Sequence, residues 1–308
     1  MRLIRRYTDE NGNTEIVIFP YIQMGRYGIF AKKPGALLCV ILSFLLTWYL
    51  FGSFAPVWAL LAVHIVMIIF ALSNAAELMF LGMEDVRKIF TRAEKERVNA
   101  IFDSVRSSME LKEAEKRRLD FNCKTSLYIA DTASVNAFSI GRRAVIITRG
   151  LMNHMDDDQM AGIMAHELGH IANGDTQVNM LITFGTAFYF FIFALIAKGL
   201  RFIEAVIGEN IIGTLVSIIR WFVEAVITAV SLLWSIFLGH DSRIKEFKAD
   251  EYAFEIGYGE GLLSALNVFY DIEVSDKKPA IERLQATHPK TAIRIAVLEN
   301  KIDPEETE

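Results

Sequence analysis

Long uncharged stretches restrict this chain more than any other feature. "ALLCVILSFLLTWYLFGSF" runs from Ala36 to Phe54, breaks at Ala55-Pro56, and resumes as "VWALLAVHIVMIIFALS", Val57 to Ser73. Each half is near the lower limit of about 17 to 25 residues that a helix needs to cross a bilayer, so residues 36–73 are expected to form a transmembrane hairpin with a tight turn. A third run, "VNMLITFGTAFYFFIFALIA", Val178 to Ala197, is long enough to span. A fourth, "WFVEAVITAVSLLWSIFL", Trp221 to Leu238, carries Glu224 four residues after Arg220, close enough in a helix to pair. The segment between these two runs reads as an interfacial helix or as part of a longer, broken span.

Elsewhere the chain is written for water. Hydrophobic residues make up 53% of the 308, yet 22% are charged, so the apolar excess is concentrated in the spans and a sizeable polar part remains. Residues 1–35 form a polar, basic segment with "TEIVIFPY" as a short strand, and a cleaved secretory signal would place its apolar core much nearer the start. Residues 74–177 and 239–308 read as two parts of one soluble domain separated by a second hairpin, 178–238. Two cysteines, Cys39 and Cys123, give neither a disulfide framework nor a cysteine metal cluster. The net charge of −5 and the lack of a basic, aromatic-interleaved block exclude a nucleic-acid partner.

Topology follows from the basic residues. Arg2, Arg5, Arg6, Arg26, Lys32 and Lys33 precede the first run, Arg87, Lys88, Arg92 and Lys95 follow the second, and Arg243, Lys245 and Lys248 follow the fourth. The first connecting turn has none. The positive-inside rule then puts both polar parts on the cytoplasmic side, with a lipid bilayer as the chain's constant partner.

Within the polar part, Val98, Ile101, Phe102, Val105 and Met109 recur at helical spacing. "TSLYIAD" reads as a strand, and "NAFSIGRRAVIITRG" as a hairpin turning at Gly141-Arg142. Asp156 and Gln159 then form a capping box ahead of a helix that Asn173-Gly174 stops.

That helix holds "AHELGHIANGD". Positions four apart share a helix face, so His166 and His170 can offer two imidazoles to one ion, and Glu167 stands beside that face where it can reach a water without ligating the metal. This is the HExxH pattern of zinc hydrolases. A catalytic zinc takes a third protein ligand. The metzincin histidine is excluded because Asn173 and Thr176 occupy the glycine and histidine positions. The remaining candidates are Glu204, Glu209, Glu224, Glu246, Glu251 and Glu255. Glu246 is favoured because it lies on a polar-side helix with Asp250 four residues on, placed to accept a proton from a ligand histidine. Asn136, at a strand start, reads equally as a turn residue or as a contact for an extended peptide.

Taken together, "NAFSIG", "AHELGHIANGD", "SRIKEFKAD" and "THPKTAIRI" resemble, in order, the landmarks of the HtpX-type membrane zinc metallopeptidases, relatives of the CAAX-prenyl endopeptidases. The resemblance runs from about Asn74 to Leu298. It implies one Zn2+ per chain on His166, His170 and Glu246, with Glu167 as general base. It also implies a substrate groove at Asn136, Ala137 and Phe138, oxyanion stabilisation by His288, and Asp250 and Arg243 behind the ligands. The family begins almost at once with a membrane helix, whereas this chain places about 35 polar residues first. The expected molecule is a mainly α membrane protein of four transmembrane helices, with a cytoplasmic α+β zincin-like domain containing a small β-sheet. Its expected place is the bacterial cytoplasmic membrane, and its expected work is hydrolysis of polypeptide substrates, membrane or misfolded proteins, in quality control and stress response. Two rivals are a dedicated processing peptidase for one lipidated substrate and a metal-stabilised scaffold without catalysis.

Overall fold

A computed structural model of the chain describes residues 4–8, 14–18, 34–53, 55–84, 86–89, 91–115, 125–208, 210–275 and 291–303. Two short strands come first, β1 (Ile4–Thr8) and β2 (Thr14–Ile18), paired antiparallel. Helices α1 (Pro34–Phe51), α2 (Val57–Ala71) and α3 (Asn74–Met83) follow, then β3 (Val86–Lys88). A helical turn at Arg92–Glu94 and a π-helical turn at Lys95–Asn99 lead into α4 (Ala100–Glu115). Next come β4 (Ser126–Ala130), β5 (Ala137–Ile140), β6 (Ala144–Thr148) and α5 (Arg149–His154). Four longer helices and a final one complete the order: α6 (Asp157–Asn173), α7 (Asp175–Ile207), α8 (Ile211–Glu255), α9 (Gly259–Ser275) and α10 (Thr291–Ile302). The chain divides into two compact units, one of Met1–Gly25, Ser73–Gln177 and Asp241–Glu308, the other of Arg26–Leu72 and Val178–His240.

The first unit contains a four-stranded mixed sheet in the order β3-β4-β6-β5. β6 is "AVIIT", buried at every position, as expected for β-branched residues in a central strand covered on both faces. It runs parallel to β4, from Ser126 opposite Ala144 to Ala130 opposite Thr148, and antiparallel to β5. The hairpin thus forms where the sequence places it, and β5 lies at the sheet's edge. Against the sheet, the stripe Val98, Phe102, Val105 and Met109 packs with Met160, Met164 and Leu168 of α6. Ile101 of that stripe is only partly buried.

Helix α6 is fixed at both ends by local chemistry. Asp156 accepts from the Gln159 N–H at 2.8 Å while the Gln159 side chain accepts from the Asp156 N–H at 3.1 Å, and Gly174 closes the helix in the left-handed region at φ 77°. Most of the helix is buried on all sides. Two close approaches make this possible. A Cβ at Gly162 would run into the backbone of Leu262 on α9, and one at Gly169 would stand 3.1 Å from the backbone of Ala249 on α8. Glycine at 169 therefore lets α8 approach the helix that carries the histidine pair.

In the second unit α1 and α2 share a small polar seam. His64, buried, lies 3.5 Å from Thr47 Oγ1 and edge-on to Phe44. The other helical pair is α7 and α8, and Gly208 follows α7 with φ 74°. Its charges face each other: Arg220 reaches Glu204 at 2.9 Å and Glu224 at 3.1 Å, Arg201 reaches Glu224 at 2.6 Å, and Ser217 donates to Glu204 at 2.6 Å. The expected Arg220–Glu224 pair is present within a larger cluster. Phe202, Val206, Ile211, Trp221 and Phe222 are exposed along the same hairpin.

Among the described residues one stretch, Ile211–Ala229, is long and apolar enough to cross a membrane, while the apolar helices Val40–Tyr49 and Val57–Ala71 are shorter. The expected fourth run, 221–238, lies inside a single helix of 45 residues. The intervening segment forms the end of α7 and the start of α8. A chain with no proline between 211 and 255 gives that helix no reason to stop where its composition turns polar.

Candidate metal centre

Three elements meet at this site: α6 supplies His166 and His170, α8 supplies Glu246, and α10 supplies Arg294. The i, i+4 spacing puts both imidazoles on one face of α6, with ring centroids 4.7 Å apart and the planes nearly perpendicular. Glu246 places Oε2 at 3.4 Å from Nε2 of His166 and Oε1 at 3.6 Å from Nε2 of His170. Donor atoms of the three residues all lie within 4.8 Å of one another, so the group can hold a metal ion.

The fit can be tested against coordination geometry. Bonds of about 2.1 Å at tetrahedral angles separate donor atoms by about 3.4 Å, which is the spacing of Glu246 from the two nitrogens. The far nitrogens are also committed. Nδ1 of His166 lies 2.8 Å from Asp250 Oδ1, and Nδ1 of His170 lies 3.1 Å from Asp175 Oδ2. A ring that binds an ion through Nε2 keeps its hydrogen on Nδ1, where each of these carboxylates is placed to accept it.

Charge is finely divided here. Burial disfavours the imidazolium at His170, but Asp175 and Glu246 outweigh it and push its pKa up to about 10. The same competition, with Asp250 and Glu246 as partners, raises His166. Burial would raise the Asp250 carboxyl, yet hydrogen bonds from His166 and Arg294 hold it below its usual range. Arg294 grips both oxygens of Asp250, at 2.6 and 2.8 Å, and its Nη1 lies 3.1 Å from Glu246 Oε2. One guanidinium thereby steadies two acids that face the same ion.

Glu167 is buried beside the pair and accepts from the Ser139 hydroxyl of β5 at 2.8 Å. The β5–β6 turn is pinned on both sides, since the Arg142 N–H donates to Glu77 of α3 at 2.7 Å and the Thr176 hydroxyl donates to the Gly141 carbonyl. Asn136 has an exposed side chain, while its backbone is tied to Thr148, whose N–H donates to the Asn136 carbonyl at 3.1 Å. Ala137 and Phe138 are half-buried on β5. His288 lies outside the described residues, and so does the side chain of Arg243, whose backbone belongs to α8. Of the other third-ligand candidates, Glu204 and Glu224 join the α7–α8 cluster, Glu251 pairs with Lys301, and Glu255 pairs with Lys112. Glu209 lies outside the described residues.

Sequence reasoning missed Asp175, Arg294, Ser139 and Glu77. A signal existed for the first: an acid directly after the glycine that ends a metal-binding helix stands close to the last histidine of that helix. Arg294 sits in the quoted "THPKTAIRI", but nothing local tells which acid it meets.

Comparison with known proteins adds a family to this geometry. Curated relatives include "Protease HtpX homolog" of Bacillus licheniformis, 31% identical over 191 residues, 56% of this chain and 62% of that protein. Another is "Protease HtpX" of Shewanella frigidimarina, 29% identical over 200 residues, 56% of this chain and 66% of that protein. The chain spans about three-fifths of the length of the curated relatives it matches. A crystal structure of S. mikatae Ste24p aligns with 87% of this chain and 63% of its own at 19% identity and a TM-score of 0.44. Residues 94–302, about two-thirds of the chain, match the family model for Peptidase family M48 and include every described member of the metal centre. The chain belongs to Peptidase family M48.

Proposed function

We propose that this protein is a zinc-dependent endopeptidase that hydrolyses internal peptide bonds of membrane or misfolded polypeptides. The observation that carries the reading is the Glu246 carboxylate set 3.4 and 3.6 Å from the two histidine nitrogens of an HExxH helix, with a carboxylate behind each ring. The names of the HtpX relatives support a protease. When bound, zinc supplies Lewis acidity to the scissile carbonyl and to the water beside it. Glu167 takes the proton of that water as it attacks and returns it to the leaving amine. Asp175, Asp250 and Arg294 hold the ligand rings and carboxylate in place. An extended peptide pairs along β5, with Asn136, Ala137 and Phe138 lining its groove, and His288 steadies the carbonyl oxygen as charge develops. Arg243 assists from behind the ligands.

The apolar runs and basic flanks support a multi-pass protein of four spans in a bacterial cytoplasmic membrane, with the catalytic centre on the cytoplasmic side. In the sequence Glu246 follows the last apolar run by only eight residues, which suits substrates presented from the membrane, damaged or misassembled ones among them. The exposed apolar face of the α7–α8 hairpin and the pairing of its charges with one another suit a lipid environment.

The test uses detergent-purified full chain, with zinc per chain measured beside cleavage of an unfolded model protein. Glu167→Gln should keep zinc and lose about 10²- to 10⁴-fold in rate, whereas His166→Ala should lose zinc and activity together. A Glu167→Gln protein that cleaves at the wild-type rate removes the proposed general base and this function with it.

A further inference from the structure

Ser139 occupies an unusual place on β5. It stands opposite Val145 of β6 in an antiparallel pair, and its hydroxyl donates to Glu167 Oε2 at 2.8 Å. Backbone groups in such a pair point alternately to the partner and away from it. The Asn136 carbonyl points to β6, where it meets the Thr148 N–H, so the backbone groups of Ala137 and Ser139 point to the outer edge. Among the described strands β5 has no neighbour there. Ser139 therefore offers its backbone to an extended peptide and its side chain to the proposed base.

We infer that Ser139 is a positioning residue for Glu167 in peptide hydrolysis, an inference that rests on the endopeptidase reading. A glutamate has three free torsions, and Glu167 lies within the electrostatic reach of both His170 and Arg294, which draw it in different directions. The hydroxyl fixes Oε2 by a hydrogen bond to a charged acceptor, the strong kind. Oε1 is then confined to one direction, and the reacting water meets a base already in place. Because the same residue pairs with the substrate through its backbone, the base is held in register with the bond to be cut. Ser139 touches neither metal nor reacting atoms, so its effect reaches the chemistry only through Glu167.

The test is kinetics and metal content on the full-length protein in detergent, comparing wild type, Ser139→Ala and Ser139→Thr. Ser139→Ala keeps the backbone and almost the volume, so zinc per chain, melting temperature and the visible spectrum of the cobalt-substituted protein should match wild type. KM for an unfolded model protein should also hold, while kcat falls about tenfold, the size expected for one hydrogen bond to a charged group. Ser139→Thr restores a hydroxyl on a β-branched side chain suited to a strand and should recover most of kcat. An unchanged kcat in Ser139→Ala, a loss confined to KM, or a threonine variant no better than alanine would each overturn the positioning role. A zinc-loaded wild type without any cleavage would instead sink the endopeptidase reading, and this inference with it.

Discussion

Asp175 stands directly after the glycine that ends α6, with its Oδ2 3.1 Å from Nδ1 of His170. Asp250 does the same for His166 at 2.8 Å from another helix. Each imidazole is thereby held by an acid outside its own helix. Asp175→Ala should leave the HExxH residues in place but weaken metal binding about 10- to 100-fold. Competition against a calibrated chelator measures this. Wild-type affinity in the variant would mean that the contact orients nothing.

Glu246 and Glu251 lie on one helix but face different partners. The first meets both histidines, the second an exposed Lys301 at 2.7 Å. Glu246→Ala should leave two protein ligands and lose the metal, while Glu251→Ala should retain it. Exposed ion pairs contribute little, so the second variant should also melt normally. Equal metal retention in the two proteins would remove Glu246 from the ligand set.

Arg294 balances acids that a bound metal also balances. Removing it from between Glu246 and Asp250 leaves buried carboxylates without their cation, a loss of about 3–5 kcal/mol when one partner of a buried pair is deleted. A dication restores much of that charge. The fall in melting temperature of Arg294→Ala should therefore be larger after chelation than with zinc present. Identical falls in both conditions would show that the guanidinium and the metal do not share these acids.

Glu77 gives the stability a pH dependence of known sign. Burial pushes its carboxyl above the ordinary 4.5, against the opposing pull of the Arg142 N–H and the charges of Arg143 and Arg142. The folded value is the higher one, so the contribution to stability is full below 4.5 and is lost as pH rises through the folded value. Glu77→Gln keeps an acceptor for the Arg142 N–H and removes the titration. The melting temperature of the variant minus that of wild type should grow between acid and neutral pH. A difference that stays flat would mean that Glu77 ionises as freely in the folded protein as in the unfolded one.

What could be read in advance was written locally. The capping box of Asp156 and Gln159, the stop at Gly174, the stripe from Val98 to Met109 and the β5–β6 hairpin each depend on residues a few positions apart. His166 and His170 were legible for the same reason, and Glu246 because a zinc needs a third donor and Asp250 follows one turn later. The parallel pairing of β4 with β6 has no local signature, since the two strands are separated by β5 and nothing in "SLYIA" or "AVIIT" names its neighbour. Arg294, Ser139 and Glu77 act on residues between 28 and 65 positions away, and spacing says nothing over such separations. The long helix α8 was hidden by its composition, which changes from apolar to charged at Gly239, although no proline interrupts it.

The division of the metal centre between α6, α8 and α10 also sets its timing. During synthesis the two histidines emerge first, while Glu246 and Asp250 are made about eighty residues later and Arg294 later still. Until α8 exists and has packed against Gly169, a growing chain carries the HExxH motif without a third ligand, and the ring of His166 has no acid behind it. A ribosome-bound fragment then holds only two of the three grouped donors. The endopeptidase proposed above would in this way be kept from cutting the nascent chains around it, its own among them, until its fold has closed.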